Sequence, residues 1–351
     1  MQENVKRYAW ARIGWSNVKA AADSALGSPP QPASPTGDYG PMGTGSCGDG
    51  DDGWWDCLYA PGLADGHRAR DLALAYAISG DRRYALKSKQ ILLAWAHVYN
   101  PLPPPPGHNV AESVGFMIKG FMAYDLVRDV FTRSEKSEFK AWAAKFVVRG
   151  EQLADSARDN PWIPEAPYGN GALWPRAMAV VAAGVVGGKT LQSALQWNWQ
   201  HSTRGGKDYG WSDILDEAMA SDGTMTEEGV RQSIFYALYT WAPMALIADV
   251  ARHAGFKPDL WAVKSQSGKN MYLPVVHYAP YLMKQIPSPY GSEQDSRYEG
   301  WLAEFRTAME LAHKAYPGSA TALAIVRFGG DTARGSDYDN HITGWNSVTG
   351  R

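Results

Sequence analysis

Residues 222–255 read DGTMTEEGVRQSIFYALYTWAPMALIADVARHAG, a long helical pattern that opens with an Asp-Gly turn. Its apolar periodicity predicts one continuous helix over residues 226–253. That helix would carry Arg231, Tyr236 and Tyr239 along its length. An arginine can bind a carboxylate, and a phenol beside it can transfer a proton. The two together suit chemistry on an acidic sugar.

Helical periodicity recurs along the whole chain, and strand-like alternation is nearly absent. The pattern predicts helices over residues 63–79, 81–99, 111–130, 134–157, 173–186, 211–220, 226–253, 269–285 and 297–316. Short connections imply antiparallel neighbours, so we predict an all-α fold, an incomplete (α/α) toroid of antiparallel helical hairpins with long loops over a central cleft. No Pro/Gly-rich linker separates two periodic regions, which favours a single domain over residues 1–351.

Three segments interrupt the helical pattern, at residues 27–57, 101–109 and 200–209. We predict that the first is a lid, and it carries Trp54 and Trp55, whose rings are candidates for stacking on a sugar. It also carries Cys47 and Cys57, whose spacing is compatible with a local disulfide and an oxidising compartment. We therefore predict a periplasmic or secreted protein whose signal peptide has been removed.

The near-equal numbers of basic and acidic residues restrict the kinds of molecule that the protein is expected to bind. Net charge is −2, from 34 basic and 36 acidic residues, so no global field recruits nucleic acid or an anionic membrane. No apolar run reaches the roughly 18 to 20 residues that span a bilayer. We predict a monomer whose partner is an acidic polysaccharide held by local arginines, with no nucleic acid and no membrane.

Elimination at a uronate needs a neutralised carboxylate, a base at C5 and an acid at O4. Arg231 can bind the carboxylate, and the amide of Asn170, in PYGNGALWPRA, is a second donor. A tyrosine titrates near about 10, and a nearby arginine favours its phenolate. On an ideal helix Tyr239 lies about 80° from Arg231 and Tyr236 about 140°, which leaves both tyrosines open.

A simpler interpretation of the same helix assigns no chemistry to it. Both tyrosines would be packed rings, and Arg231 would pair with Glu227 or Glu228.

The 222–255 stretch resembles the hallmark helix of the family 5 alginate lyases and the alginate lyase domain superfamily. Glu228, Arg231 and Pro243 match that helix in order. Counting back from Pro243, the family's catalytic tyrosine falls on Tyr236, and Tyr239 matches a second tyrosine. The spacing between arginine and tyrosine is two residues shorter than in the family, so the resemblance implies either tyrosine as the catalytic one.

The resemblance covers roughly residues 58–301. It implies that Asn170 neutralises the substrate carboxylate, with Trp174 as the aligned landmark beside the substrate. The family places a histidine directly after that asparagine, whereas this chain has Gly171. Our candidates for a replacement are His108, His67 and His201, with His108 preferred because it follows a Pro-rich loop and precedes a predicted helix.

Other cationic side chains are candidates for binding further uronate carboxylates. The loop at residues 200–209 is an insertion relative to the family and brings His201, Arg204 and Lys207, while Arg176 and Arg297 lie elsewhere. Each of them could equally be an ordinary solubilising charge.

The resemblance implies a polysaccharide lyase that cleaves a β-1,4-linked polyuronate, polymannuronate or glucuronan, by syn β-elimination without metal or cofactor. Two alternatives stay open. An inverting glycoside hydrolase would use a carboxyl pair such as Asp213 with Asp216 or Glu217, or Glu227 with Glu228. A non-catalytic acidic-polysaccharide-binding protein would keep the toroid without the activity.

Overall fold

A computed structural model describes residues 1–32, 58–101, 113–158, 168–200, 210–290 and 301–336. Within these ranges the chain is helical and contains no strand. The α-helices are α1 (Gln2–Arg7), α2 (Ala9–Ala25), α3 (Ala60–Ser79), α4 (Arg82–Val98), α5 (Ile118–Val127), α6 (Arg133–Arg158), α7 (Asn170–Val186), α8 (Gly188–Gln200), α9 (Trp211–Ala218), α10 (Thr226–Arg231), α11 (Ile234–His253), α12 (Leu273–Leu282), α13 (Trp301–Ala315), α14 (Ala320–Arg327) and α15 (Gly330–Ser336). A π-helical turn, Ser113–Met117, precedes α5, and a 3-10 turn, Arg128–Val130, follows it.

The helices form two layers. Helices α3, α5, α7, α11 and α13 pack side by side as an inner layer, while α2, α4, α6, α8 and α12 pack outside them. Along the described chain, outer and inner helices alternate and form antiparallel hairpins, with the short helices α9 and α10 inserted between α8 and α11. This arrangement is an incomplete (α/α) toroid, which confirms the predicted all-α fold.

The five inner helices run in the same direction. A cavity of about 400 Å³ is lined by side chains from their later portions, including Leu74, Leu126, Val185, His253 and Leu311. The N-terminal ends of α7 and α11 therefore lie at the opposite end of the toroid, about 25 Å away along a 17-residue helix.

Local capping explains where several helices begin. Gly80 adopts a left-handed φ of 76° and ends α3, and Asp81 then caps α4 by accepting a hydrogen bond from the backbone N–H of Arg83 at 2.9 Å. At the start of α6 the Thr132 hydroxyl accepts from the backbone N–H of Glu135 at 3.2 Å, and the Glu135 carboxylate accepts from the backbone N–H of Thr132 at 2.7 Å. This reciprocal pair is a capping box.

The predicted continuous helix over residues 226–253 is wrong. Helix α10 ends at Arg231, Gln232 takes a left-handed φ of 49°, and Ser233 is extended before α11 begins. The backbone therefore changes direction between Arg231 and the tyrosines. Helix α11 then continues through Pro243 without a second break.

Other predicted boundaries also change. Helices α1, α2, α8, α14 and α15 lie outside the predicted helices, and α12 is shorter at both ends than the predicted helix over residues 269–285. Among the described residues, the helix Ile234–His253 is long and apolar enough to cross a membrane. This differs from the prediction that no apolar run reaches the length that spans a bilayer. Because 83% of the most apolar window of this helix is buried inside the protein, it is a core helix of the toroid.

The predicted disulfide lies outside the described residues, because both Cys47 and Cys57 do. The same holds for most of the predicted lid at residues 27–57.

Candidate active site

Asn170 is the first residue of α7, after Gly169, which is extended. Its backbone N–H donates to Glu227 Oε2 at 2.7 Å, and its side-chain Nδ2 donates to Glu227 Oε1. Two oxygens of one carboxylate thus fix both the helix end and the amide. An amide nitrogen carries two hydrogens, so this contact engages only one of them.

Glu227 joins three helices at the N-terminal end of the inner layer. It is 2% exposed and also accepts a hydrogen bond from the Thr240 hydroxyl on α11. Its Oε1 lies 3.9 Å from Nε of Arg231 on the same helix, α10. A buried carboxylate needs such donors and a nearby cation, because burial otherwise penalises its charge.

Arg231 contacts Tyr236. Its Cζ lies 5.3 Å from the centroid of the Tyr236 ring, and 39% of its side chain is exposed. The ideal-helix angles, which left both tyrosines open, therefore do not describe the contact that Arg231 makes. The reason is the break at Gln232, which removes the common helix axis on which those angles depend.

Tyr239 packs in the core beneath the site. It is 6% exposed, stacks on Phe235 with ring centroids 5.3 Å apart, and lies 5.1 Å from the Trp174 ring. Tyr236 is half-buried and meets Tyr239 edge to face at 6.5 Å. Tyr236 is thus the tyrosine that lies both beside the guanidinium and nearer to solvent.

Trp174 and Arg176 are both too deeply buried to touch a bound sugar directly. Trp174 is fully buried, so it supports Tyr239. Arg176 is 3% exposed, and its Cζ lies 4.4 Å from the centroid of the Trp197 ring on α8, on a different face of α7 from Trp174. Burial lowers the pKa of Arg176 to about 10.

The carboxyl pairs considered for a hydrolase are engaged in structural contacts. Glu228 accepts from the hydroxyls of Tyr278 and Tyr290, the latter at 2.9 Å. Asp213 accepts from the backbone N–H of Gly210 at 3.1 Å at the start of α9, and Asp216 accepts from the hydroxyls of Ser265 and Ser267. Glu227 holds Asn170, as described above.

Gly171, at the family histidine position, is buried in the first turn of α7. Of the proposed replacements, His67 lies half-buried on α3. Seven further predicted site residues lie outside the described residues: His108, Trp54, Trp55, His201, Arg204, Lys207 and Arg297. Their roles stay predictions.

The described residues contain no group of three or more His, Cys, Asp or Glu side chains arranged to hold a metal ion. The chemistry of the site as described comes from an amide, a guanidinium and a phenol. Asn170 contacts Glu227, Glu227 contacts Arg231, and Arg231 contacts Tyr236. Such a group can neutralise a carboxylate and move a proton next to it.

Comparison with known proteins gives one family and several structures. The alginate lyase family model matches residues 46–287. A crystal structure of an alginate lyase from Bacteroides ovatus is 17% identical, with a TM-score of 0.65 over 95% of this chain and 94% of that chain. No curated protein matches the sequence.

Alginate lyase A1-III, solved as a histidine-to-alanine variant, is also similar at 17% identity. Its complex with a tetrasaccharide has a TM-score of 0.58, over 92% of this chain and 84% of that chain. Its apo form has a TM-score of 0.61, over 95% and 89%. At this identity the structural likeness bears on the fold alone.

Proposed function

The chain belongs to the alginate lyase family of polysaccharide lyases, and on that premise we propose that it cleaves a β-1,4-linked polyuronate by syn β-elimination. The observation that carries the proposal is the chain of contacts that places Asn170, Arg231 and Tyr236 at one end of the toroid. These three side chains supply what the elimination requires.

In the proposed mechanism the guanidinium of Arg231 and the free amide hydrogen of Asn170 bind the uronate carboxylate. Neutralising that charge makes the hydrogen at C5 more acidic. The phenolate of Tyr236 removes this hydrogen, and the electron pair forms a double bond between C4 and C5 as the C4–O4 bond breaks. The proton then passes from the phenol to O4, which restores the phenolate and leaves an unsaturated uronate at the new end.

The proposed substrates are polymannuronate and glucuronan. A single phenol reaches C5 and O4 only when both lie on one face of the sugar, which is the syn arrangement of β-D-mannuronate. Gly171 stands where the family has histidine, so the pocket next to the carboxylate loses an imidazole. This change supports glucuronan as the alternative to polymannuronate.

The proposal is tested by incubating the protein with polymannuronate, polyguluronate and glucuronan. Ultraviolet absorbance measures unsaturated ends, and a reducing-sugar assay measures all new ends. We expect both signals to rise together on polymannuronate or glucuronan. New reducing ends without absorbance would mean a hydrolase, and neither signal on any polymer would mean a binding protein.

A matched pair of variants tests the tyrosine assignment. Tyr236→Phe removes the hydroxyl that we assign to proton transfer, so we expect kcat to fall by about 100-fold or more. Tyr239→Phe keeps the packed ring and should change kcat less than about tenfold. The assignment moves to Tyr239 if the two results are exchanged.

A further inference from the structure

A basic groove lies far from the candidate active site, between the start of the chain and its last helices. Its volume is about 830 Å³, and its described lining includes Arg334 and four further cationic side chains, Arg7, Arg12, Lys314 and Arg327. Lys314 also lines the cavity formed by the later portions of the inner helices. The basic groove therefore lies toward the end of the toroid opposite Asn170 and Tyr236.

Among the lining residues that the structure describes, positive charge exceeds negative charge. Among the residues that the structure describes, none of the four cations forms an ion pair. The acidic lining residue Glu310 is bound by Arg334 through two hydrogen bonds of 2.8 and 3.1 Å. Within the described lining, Asp331 is the one remaining carboxylate that offsets the four positive charges.

This local excess of positive charge contrasts with the whole chain, whose net charge is −2. Like charges gathered around one concave surface repel one another, and low-dielectric walls strengthen the field that they create. An anionic ligand that enters the groove relieves that repulsion. The field therefore selects for ligands with several negative charges.

Two aromatic rings contact the arginines of this surface. The rings of Tyr8 and Trp10 are parallel within 15°, with centroids 5.3 Å apart. The Arg334 guanidinium covers Trp10 at 4.0 Å, and that of Arg7 lies 5.2 Å from the centroid of the Tyr8 ring. Stacking of this kind orients arginines before a ligand arrives, which lowers the ordering cost of binding.

We propose that the basic groove is a second, non-catalytic binding site for a carboxylated polysaccharide chain. The class of ligand rests on the proposed function, because a polyuronate carries one carboxylate on every sugar and so matches a row of cations. Binding there holds the polymer on the enzyme and raises its effective concentration at the catalytic end. A trisaccharide is too short to gain from this second contact.

The test uses the double variant Arg12→Glu/Arg327→Glu in the full chain. Its control is Arg82→Glu/Arg133→Glu, because these arginines are also exposed and lie on the outer helices α4 and α6. The two double variants have the same net charge, so their mobilities in a native gel can be compared directly. Thermal denaturation checks that both are folded.

We expect polymannuronate in the gel to retard the parent protein and the control variant. The groove variant should bind at least tenfold more weakly, with a several-fold higher KM on polymannuronate and unchanged turnover of a mannuronate trisaccharide. Retardation needs no cleavage, so this measurement gives a result even if the protein cuts none of the polymers. Equal retardation of both double variants overturns the proposal.

Two further gels test the class of ligand. Poly-L-glutamate carries the same carboxylates without sugars, and duplex DNA carries phosphates. We expect both to retard the parent protein less than polymannuronate at equal charge concentration and at the same salt. Equal or stronger retardation by either would show a general polyanion surface and overturn the polysaccharide assignment.

Discussion

At Glu227 a buried carboxylate accepts hydrogen bonds from the backbone and side chain of Asn170 and from Thr240. All three partners are donors in these contacts. A carboxylate satisfies such an arrangement because both of its oxygens accept. The orientation of Asn170, and with it the donor that it offers to a substrate, therefore depends on the ionised form of Glu227.

Replacing Glu227 with glutamine tests this dependence. In Glu227→Gln one oxygen becomes an NH₂ group that faces a donor of Asn170, so one contact is lost and the amide turns. We expect a loss of about 1 to 3 kcal/mol of transition-state stabilisation, or roughly a 10- to 100-fold lower kcat/KM. The measurement is initial lyase rate against substrate concentration, with far-ultraviolet circular dichroism as a check on folding.

Glu228→Gln is the matched control for this variant. Glu228 is buried to the same degree, but its partners are the hydroxyls of Tyr278 and Tyr290, which can accept as well as donate. Its kcat/KM should stay within a few-fold of the parent value. Equal losses in both variants would mean that Glu227 acts only through general stability.

In the structure Glu227 connects Asn170 with Arg231, and no sequence pattern indicates that connection. Glu227 was considered only as an ion-pair partner of Arg231 or as half of a hydrolase pair. Its contact with Asn170 spans 57 positions, and no local pattern encodes a pairing of that kind. Thr240, thirteen positions further along, was missed for the same reason.

At the scale of helices, the break between α10 and α11 explains why ideal-helix angles could not decide between the two tyrosines. Apolar periodicity continues across Gln232, and glutamine is not a residue that marks a left-handed turn. Long-range contacts favour the break, because Glu227 and Glu228 on α10 are bonded to α7, α12 and Tyr290. The boundary between α3 and α4 agrees better with the predicted helices over residues 63–79 and 81–99, because Gly80 ends one helix and Asp81 caps the next.

The capping box of α6 makes stability depend on pH. The backbone N–H of Thr132 and the ammonium of Lys89 donate to Glu135 and hold the pKa of its carboxyl below its ordinary value of 4.5. A lowered folded-state pKa means that this stabilisation is complete above the unfolded value and disappears as pH falls through the folded value. Acid therefore weakens the start of α6.

Glu135→Gln should lower the free energy of unfolding by about 1 kcal/mol at pH 7. The difference from the parent protein should shrink steadily below pH 4.5, because the parent carboxylate then becomes protonated as well. Urea denaturation at several pH values measures both quantities. A difference that stays constant down to pH 3 would show that the charge of Glu135 does not contribute.

At the scale of the whole molecule, the hairpin topology followed from short connections and from helical periodicity without strands. The five unassigned helices show the limit of that reasoning. Helices such as α1, α14 and α15 have only 6 to 8 residues, and helices this short are stable only when packed against neighbours. These helices form because of contacts such as that between α2 and α15. The periodicity of the sequence carries no information about such contacts.

The distance between the two layers of the toroid is set where α6 and α7 meet, at Gly150. A Cβ atom on this residue would lie 2.5 Å from the carbonyl oxygen of Pro175 and 2.8 Å from Cβ of Ala179. Gly150→Ala must therefore push an outer helix away from an inner one, at a cost of about 1 to 3 kcal/mol. The gain in helix propensity, about 1 kcal/mol, offsets only part of that cost.

Gly184→Ala provides the comparison, because Gly184 is also helical but has nothing within 4 Å of the added methyl group. Here the gain in helix propensity acts alone, so this variant should melt at a higher temperature than the parent and Gly150→Ala at a lower one. Differential scanning calorimetry of the three proteins measures these shifts. A Gly150→Ala protein that melted at or above the parent temperature would show that α6 and α7 can separate without loss, and that their close approach does not hold the two layers together.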